Sequence, residues 1–169
     1  MTYSSSSWGI LDIQCVLGTN SKYLIKEMSV IDTNSCATQH WLFKHSLNAV
    51  QDEKSRSVNL WLLRNYHQLS LDCGDVEYEE IERILNSLKF DTIYVKGEEK
   101  RQIIKEFIPK IEVINMENLG CPRLNVLLND YNKRDFSLQP CCIYHSYLNP
   151  RNCTFNKIFA LKKWFINNS

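Results

Sequence analysis

Cys142, His145 and Cys153 form the spacing C-x2-H-x7-C, and an apolar helical pattern begins directly after the last cysteine. Thiolates and an imidazole gathered in this way are ligands for a tetrahedral zinc ion. Only three such groups are local, so a fourth must come from a distant part of the chain. A bound ion would then tie the C-terminal helix to the body of the fold. The helix start helps, because its positive end stabilises the Cys153 thiolate. Ligand chemistry alone points to Cys121, in Gly120-Cys-Pro122, as the fourth ligand of a Cys3His set. Cys141, adjoining Cys142, is a substitute. The plainer alternative is a group of unrelated reduced thiols and a surface imidazole.

The remaining composition sets bounds on that picture. A chain of 169 residues with 44% hydrophobic content supports one domain with a sizeable core. We read residues 1–7 as a flexible tail, polar from Ser4 to Ser7, and residues 8–169 as a single zinc-stapled domain. Twenty basic against 19 acidic residues leave a formal charge of +1, so no whole-molecule field drives the chain toward nucleic acid or an anionic membrane. Seven cysteines cannot all pair within one chain. The N-terminal stretch has neither the basic nor the apolar region of a secretory signal. No apolar run approaches the roughly 20 residues that span a bilayer. The expectation is therefore a reducing compartment, cytoplasm or nucleus, with no membrane partner and with cysteines serving a metal.

Along the chain, Trp8–Leu17 and Tyr23–Ile31 read as two strands joined by the turn chemistry of Gly18-Thr-Asn-Ser21. On the second, a two-residue period places Tyr23, Ile25, Glu27, Ser29 and Ile31 on one face. Cys36–Lys44 is a weaker third strand, with His40 and His45 straddling Trp41-Leu-Phe43 as strand-edge residues. Val58–Tyr66 reads as a helix preceded by a charged loop or helix start. Asp75 is placed to cap a helix carrying Ile81, Ile84, Leu85 and Leu88. Thr92–Val95 is a short buried strand, Glu98–Ile108 a helix ended by Pro109, and Ile111–Ile114 another strand. Pro122 opens a helix, Asn132–Pro140 reads as a polar loop, and the last helix runs from Thr154 to Ile166. Three antiparallel strands followed by alternating strands and helices make a mixed α/β sheet with helices on both faces.

This order resembles the RNase H-like fold in its DnaQ-like exonuclease version. Tyr23-Leu-Ile-Lys-Glu-Met-Ser-Val-Ile31 is similar to the second-strand segment of those nucleases, where a glutamate sits among apolar residues. Ile93-Tyr-Val-Lys-Gly97 is similar to their fourth strand and following turn. Cys153-Thr-Phe-Asn156 stands in place of their final His-containing motif. The chain resembles most the domain of the Maelstrom proteins of the germline small-RNA pathway, a DnaQ relative that lost its catalytic acids and carries a Glu-Cys-His-Cys zinc set. The resemblance implies Zn2+ held by Glu27, Cys142, His145 and Cys153, with Cys121 still the alternative fourth ligand. A buried Glu27 needs a partner; a dication is one, and Lys26 or Lys44 is another. The high-mobility-group box that usually precedes the domain is not in this sequence, so the expectation is a Maelstrom-like relative. It further implies single-stranded RNA as partner, protein partners of a silencing complex, and weak cleavage at most.

Two-metal nuclease chemistry needs about four carboxylates around two divalent ions. The first pair, Asp-x-Glu in the resembled family, is Asp12-Ile-Gln14 here. Lys100 falls about where the helix after the fourth strand would carry an acid. Asn156 or Lys157 stands near the place of the last acid, and Cys153 replaces the histidine base. Asp12 is the surviving acid candidate, and an active metal-dependent 3'-5' exonuclease or a ribonuclease is the minority reading. Lys96, Lys100 and Arg101 are candidate RNA-binding residues, diluted by Glu98, Glu99 and Glu106. Lys162 and Lys163 beside Trp164 are a further stacking candidate. His67 reads as a partly buried histidine at an element end. The usual nucleotide and hydrolase motifs are missing. A protein-interaction scaffold without a nucleic-acid role is the alternative from a different class, favoured by the near-zero charge.

Overall fold

The computed structural model describes residues 6–46, 52–66, 68–135 and 153–169, with backbone alone for 130–135. Cys141, Cys142, His145 and His67 therefore lie outside the described residues, as do residues 136–140 of the expected polar loop.

The apolar run at the front of the chain forms β1 (Trp8–Leu17), which pairs antiparallel with β2 (Tyr23–Asp32); β2 pairs antiparallel with β3 (Thr38–Lys44). Helix α1 (Glu53–Asn65) follows, then a two-residue strand β4 (Val76–Glu77), helix α2 (Ile81–Ser87), β5 (Thr92–Val95), α3 (Glu98–Phe107), β6 (Glu112–Asn115), α4 (Leu124–Asp135) and α5 (Thr154–Asn168). Among the described residues the sheet has six strands in the order β4-β3-β2-β1-β5-β6, with β5 and β6 parallel to β1. One face buries Leu11, Ile13, Met28, Val30, Ile93 and Val95 against Ile84 and Leu85 of α2 and Ile104 of α3. The other buries Ile10, Ile31 and Tyr94 against Leu127 of α4 and Ile158, Leu161 and Phe165 of α5. Helices thus cover both faces, as the alternation of strands and helices requires.

Four details depart from the sequence reading. The regular alternation expected along β2 is broken by a bulge: Gln14 pairs with Glu27 but Cys15 pairs with Ile25, so Lys26 is the extra residue. Ile25 consequently joins the core with Met28 and Val30, while Ile31 joins the opposite one. The bulge also sends the fully buried Lys26 amine to the carbonyls of Phe43 (2.7 Å), Leu71 (3.0 Å) and Cys73 (2.5 Å), away from Glu27.

Asp75 caps no helix. Its backbone N–H and side chain both pair with Leu42, laying Val76–Glu77 along β3, and Tyr78–Glu80 form a 3-10 turn before α2. Tyr78 stacks on His45 at 4.6 Å and meets Phe43 edge-on, which draws the segment onto the sheet. Gly74 permits this approach: its φ is +150°, and a Cβ there would lie 2.7 Å from the Leu42 carbonyl. Helix α1 begins at Glu53, because Asp52 caps it by accepting from the Ser55 N–H. Helix α4 runs on to Asp135, into the stretch expected to be a loop.

At the front, Ser7 donates to Asp91 and accepts from its N–H. Among the described residues no helix is long and apolar enough to cross a membrane.

Candidate functional site

Strand β5 pairs with β1 only over Trp8–Ile10, so the rest of β1 runs past the end of β5. Crevices outside the carboxyl ends of parallel strands are where α/β sheets hold ligands. Two groups of polar residues meet there, one at the head of α5 and one beside the first turn of α3.

The first is built around Glu27, which is fully buried. Its Oε1 accepts from the Thr154 N–H at 2.9 Å and from Gln14 Nε2 at 3.1 Å. Its Oε2 lies 2.8 Å from His40 Nε2 and 3.7 Å from Cys153 Sγ. A carboxylate at the N-terminus of a 15-residue helix is stabilised by the helix dipole and by an otherwise unpaired N–H. Ser29 and Thr154 share a hydroxyl hydrogen bond of 2.8 Å that fixes the helix head to the same strand. Glu27, His40 and Cys153 bring their ligand atoms within 4.8 Å of one another. Carboxylate oxygen, imidazole nitrogen and thiolate sulfur are zinc ligands, and such a set fits a tetrahedral ion.

Of the expected ligands, Glu27 and Cys153 are therefore side by side, although 126 residues separate them. Cys142 and His145 fall outside the described residues. Cys121 packs with Met116, Ile158 and Leu161 in the core between α4, α5 and the sheet, and is not among the clustered groups. Burial raises the pKa of its thiol.

His40 was expected at a strand edge with no site role. The signal was in the register: Glu27 pairs with Leu42, which makes His40 the diagonal neighbour on the same face. His45, given the same reading, is buried. Its Nε2 donates to the Ile25 carbonyl at 2.8 Å, and burial lowers its pKa to about 4.

The second group occupies a cleft of about 160 Å³ lined by residues that include Gln14, Cys15, Tyr66, Glu99, Lys100 and Lys157. Asp12, buried beside it, is held by Lys100 Nζ at 2.6 Å. Burial works against the Lys100 ammonium, but the Asp12 charge and hydrogen bond outweigh it and raise its pKa above the ordinary lysine value. Lys157, on the first turn of α5, is 2% exposed and lies 5.6 Å from the centre of the Tyr66 ring. Burial pushes the Cys15 thiol up to about 12, so no thiolate is available there at neutral pH.

Among the described residues, this cleft does not offer the about four carboxylates that a pair of divalent ions takes. Asp12 is already paired with Lys100, a neutral amide stands two residues on, Glu99 is exposed, and two ammonium groups line the walls. Lys96 and Arg101, the other basic candidates, are engaged by Glu117 and Glu98 respectively. Lys162 donates to the Ser35 carbonyl, and Trp164 packs on the core beneath α5.

No protein-family model matches the chain, and no curated protein sequence matches it. Solved structures do. One, described as "3'-end specific recognition of histone mRNA stem-loop by 3'-exonuclease", superposes with a TM-score of 0.53 at 11% identity. It is matched over 97% of this chain and 63% of its own length. Another, the nuclease domain of 3'hExo, a DEDDh family member bound to rAMP, gives 0.52 at 11% identity over 97% of this chain and 92% of that one. The fold is RNase H-like, of the DnaQ-like exonuclease type. At this identity the likeness is one of architecture, and the side chains of the cleft are this chain's own.

Proposed function

We propose that this chain is a Maelstrom-like, RNA-associated module with a degenerate nuclease site and a structural zinc, acting in the cytoplasm or nucleus in small-RNA and transposon silencing. The observation that carries the reading is the meeting of Glu27 with Cys153 at the head of α5. In the resembled domain those two positions belong to the Glu-Cys-His-Cys zinc set, and here Cys142 and His145 would complete it. His40, hydrogen-bonded to Glu27, would orient the carboxylate as an outer partner or replace one ligand. Four protein ligands leave no open position for an activated water, so the ion would hold the fold together and not supply a nucleophile. The loss of carboxylates from the cleft supports the degenerate reading. The solved neighbour whose description names a histone mRNA stem-loop supports RNA as the ligand class.

Two measurements test this. Elemental analysis of purified protein should find one zinc per chain, reduced in a Glu27→Gln or Cys153→Ser variant. Filter binding of single-stranded RNA should weaken steeply with salt, reporting phosphate contacts. Affinity no better than that of a neutral polymer at low salt would remove the RNA reading. Labelled oligonucleotide incubated with magnesium or manganese should be cut no faster by the chain than by an Asp12→Ala variant.

A second reading, a protein-interaction scaffold, is favoured by one observation. Helix α1 turns Leu60 (46% exposed) and Trp61 (57% exposed) to solvent, where aromatic and aliphatic anchors serve protein contacts. A Trp61→Ala change that abolishes a nuclease-resistant complex while sparing RNA affinity would establish it.

A further inference from the structure

We propose that the cleft between the first turns of α3 and α5 binds the phosphate of a nucleotide directly on Lys157 and Lys100, without a divalent metal. The argument begins with Lys157. A buried ammonium is costly unless paired, yet among the described residues no carboxylate lies within ion-pair distance of it. Among the described residues, the ring of Tyr66 lies 5.6 Å from its ammonium, and a cation over a ring is weaker compensation than an ion pair. The cleft therefore holds a positive charge whose complement is an anion. Lys100 reaches the same cleft from α3. An ammonium has three donors, and Asp12 takes one of them.

The other walls narrow the class of anion. Gln14 is buried, and its Oε1 has no hydrogen-bond partner among the described residues, which leaves an acceptor for a hydroxyl such as that of a ribose. Tyr66 and Tyr23, both exposed and both lining the cleft, offer ring faces on which a base can stack. Glu99 also lines it and is exposed, so its charge is solvated and opposes the anion only weakly. A volume of about 160 Å³ admits a phosphate and part of a sugar while leaving the base outside. Where a metal-dependent site would bridge phosphate oxygens with cations held by carboxylates, this chain presents the cations as side chains. The proposal takes the identity of the anion from the RNA reading above; the charge and the acceptor are properties of the cleft itself.

The test uses the whole chain with its native metal content, in buffer free of magnesium and of chelator. AMP and a short single-stranded oligoribonucleotide are titrated separately while backbone amide resonances are followed. Both should shift the amides of Gln14, Lys100 and Lys157, and added magnesium should change Kd by less than about twofold. Lys157→Met, which keeps the aliphatic stem, should weaken binding by about tenfold or more, as expected for a charge-assisted hydrogen bond, and Lys157→Arg should restore part of it. Binding that requires magnesium, or an unchanged Kd in Lys157→Met, overturns the proposal. If that variant does not fold, the amide map of the unaltered chain decides alone. RNA that binds with its shifts away from the cleft would sink this site and leave the RNA reading standing. AMP in the cleft with no RNA affinity would do the reverse, and failure of both ligands would remove both.

Discussion

Glu27, Lys26 and His45 lie close together in the fold, and each is buried for a different reason. Glu27 is held by a helix N-terminus and by its clustered neighbours. Lys26 is held by three carbonyls. Replacing it by methionine would leave those acceptors buried without a donor, and the Lys26→Met variant should lose about 3 kcal/mol or more of stability in urea. His45 folds as a neutral imidazole donating to Ile25. Its pKa is lowered from 6.5 to about 4, first by burial. The unfolded chain therefore takes up this proton at higher pH than the folded one. The stability His45 contributes is complete above about pH 6.5 and is lost as pH falls toward 4, by up to about 3 kcal/mol. Chemical denaturation from pH 7 to 4 should show that decline, and a His45→Asn variant should flatten it. An unchanged slope in the variant would assign the decline to other groups. The sequence identified His45 and Lys26 as residues but not their states, because the partners of both are backbone carbonyls that any residue could supply.

At the scale of elements, helix α1 shows where pattern reading loses information. Its buried residues are Ser55 and Asn59, while Leu60 and Trp61 face solvent. The apolar residues therefore signal a helix here, while its start is set by the Asp52 cap and its buried face by polar side chains. The reason is specific. Asn59 completes the end of β1, donating to the Leu17 carbonyl and accepting from its N–H, each at 2.8 Å. Two buried backbone groups depend on that one amide. Asn59→Ala should cost about 2–4 kcal/mol, read as a lowered urea midpoint together with faster hydrogen exchange at the Leu17 amide. Unaltered exchange at Leu17 would show that α1 docks by other means. Strand β2 teaches the same lesson through its bulge. A two-residue period predicts that Ile25 and Ile31 share a face; one extra residue at Lys26 puts them in different cores. Where no bulge or edge pairing intervenes, as at β1, β5 and α3, the apolar pattern located the element to within a residue.

For the whole molecule, the arrangement at the head of α5 matters most. This helix packs against both β1 and β2, and Cys153, Thr154 and Lys157 on its first turn reach both polar groups. If zinc joins Cys153 to Glu27, it ties the last helix to the front half of the sheet, and its binding energy contributes to folding. Removing metal with a strong chelator should then lower Tm by about 10 °C, equivalent to roughly 3–5 kcal/mol in a chain of this size, with recovery on adding zinc. A Tm indifferent to chelation would mean that α5 is held by its apolar face alone. The sequence by itself determined the α/β class and the order of the strands and helices apart from the two-residue β4, because those follow from local periodicity. Only the tertiary structure decided that Asp12 closes on Lys100, that His40 rather than Cys121 lies beside Glu27 and Cys153, and that Lys157 is buried without a carboxylate among the described residues. Those meetings depend on strand register and helix docking between residues far apart in the chain, and no local pattern encodes the distance between two side chains that the fold brings together.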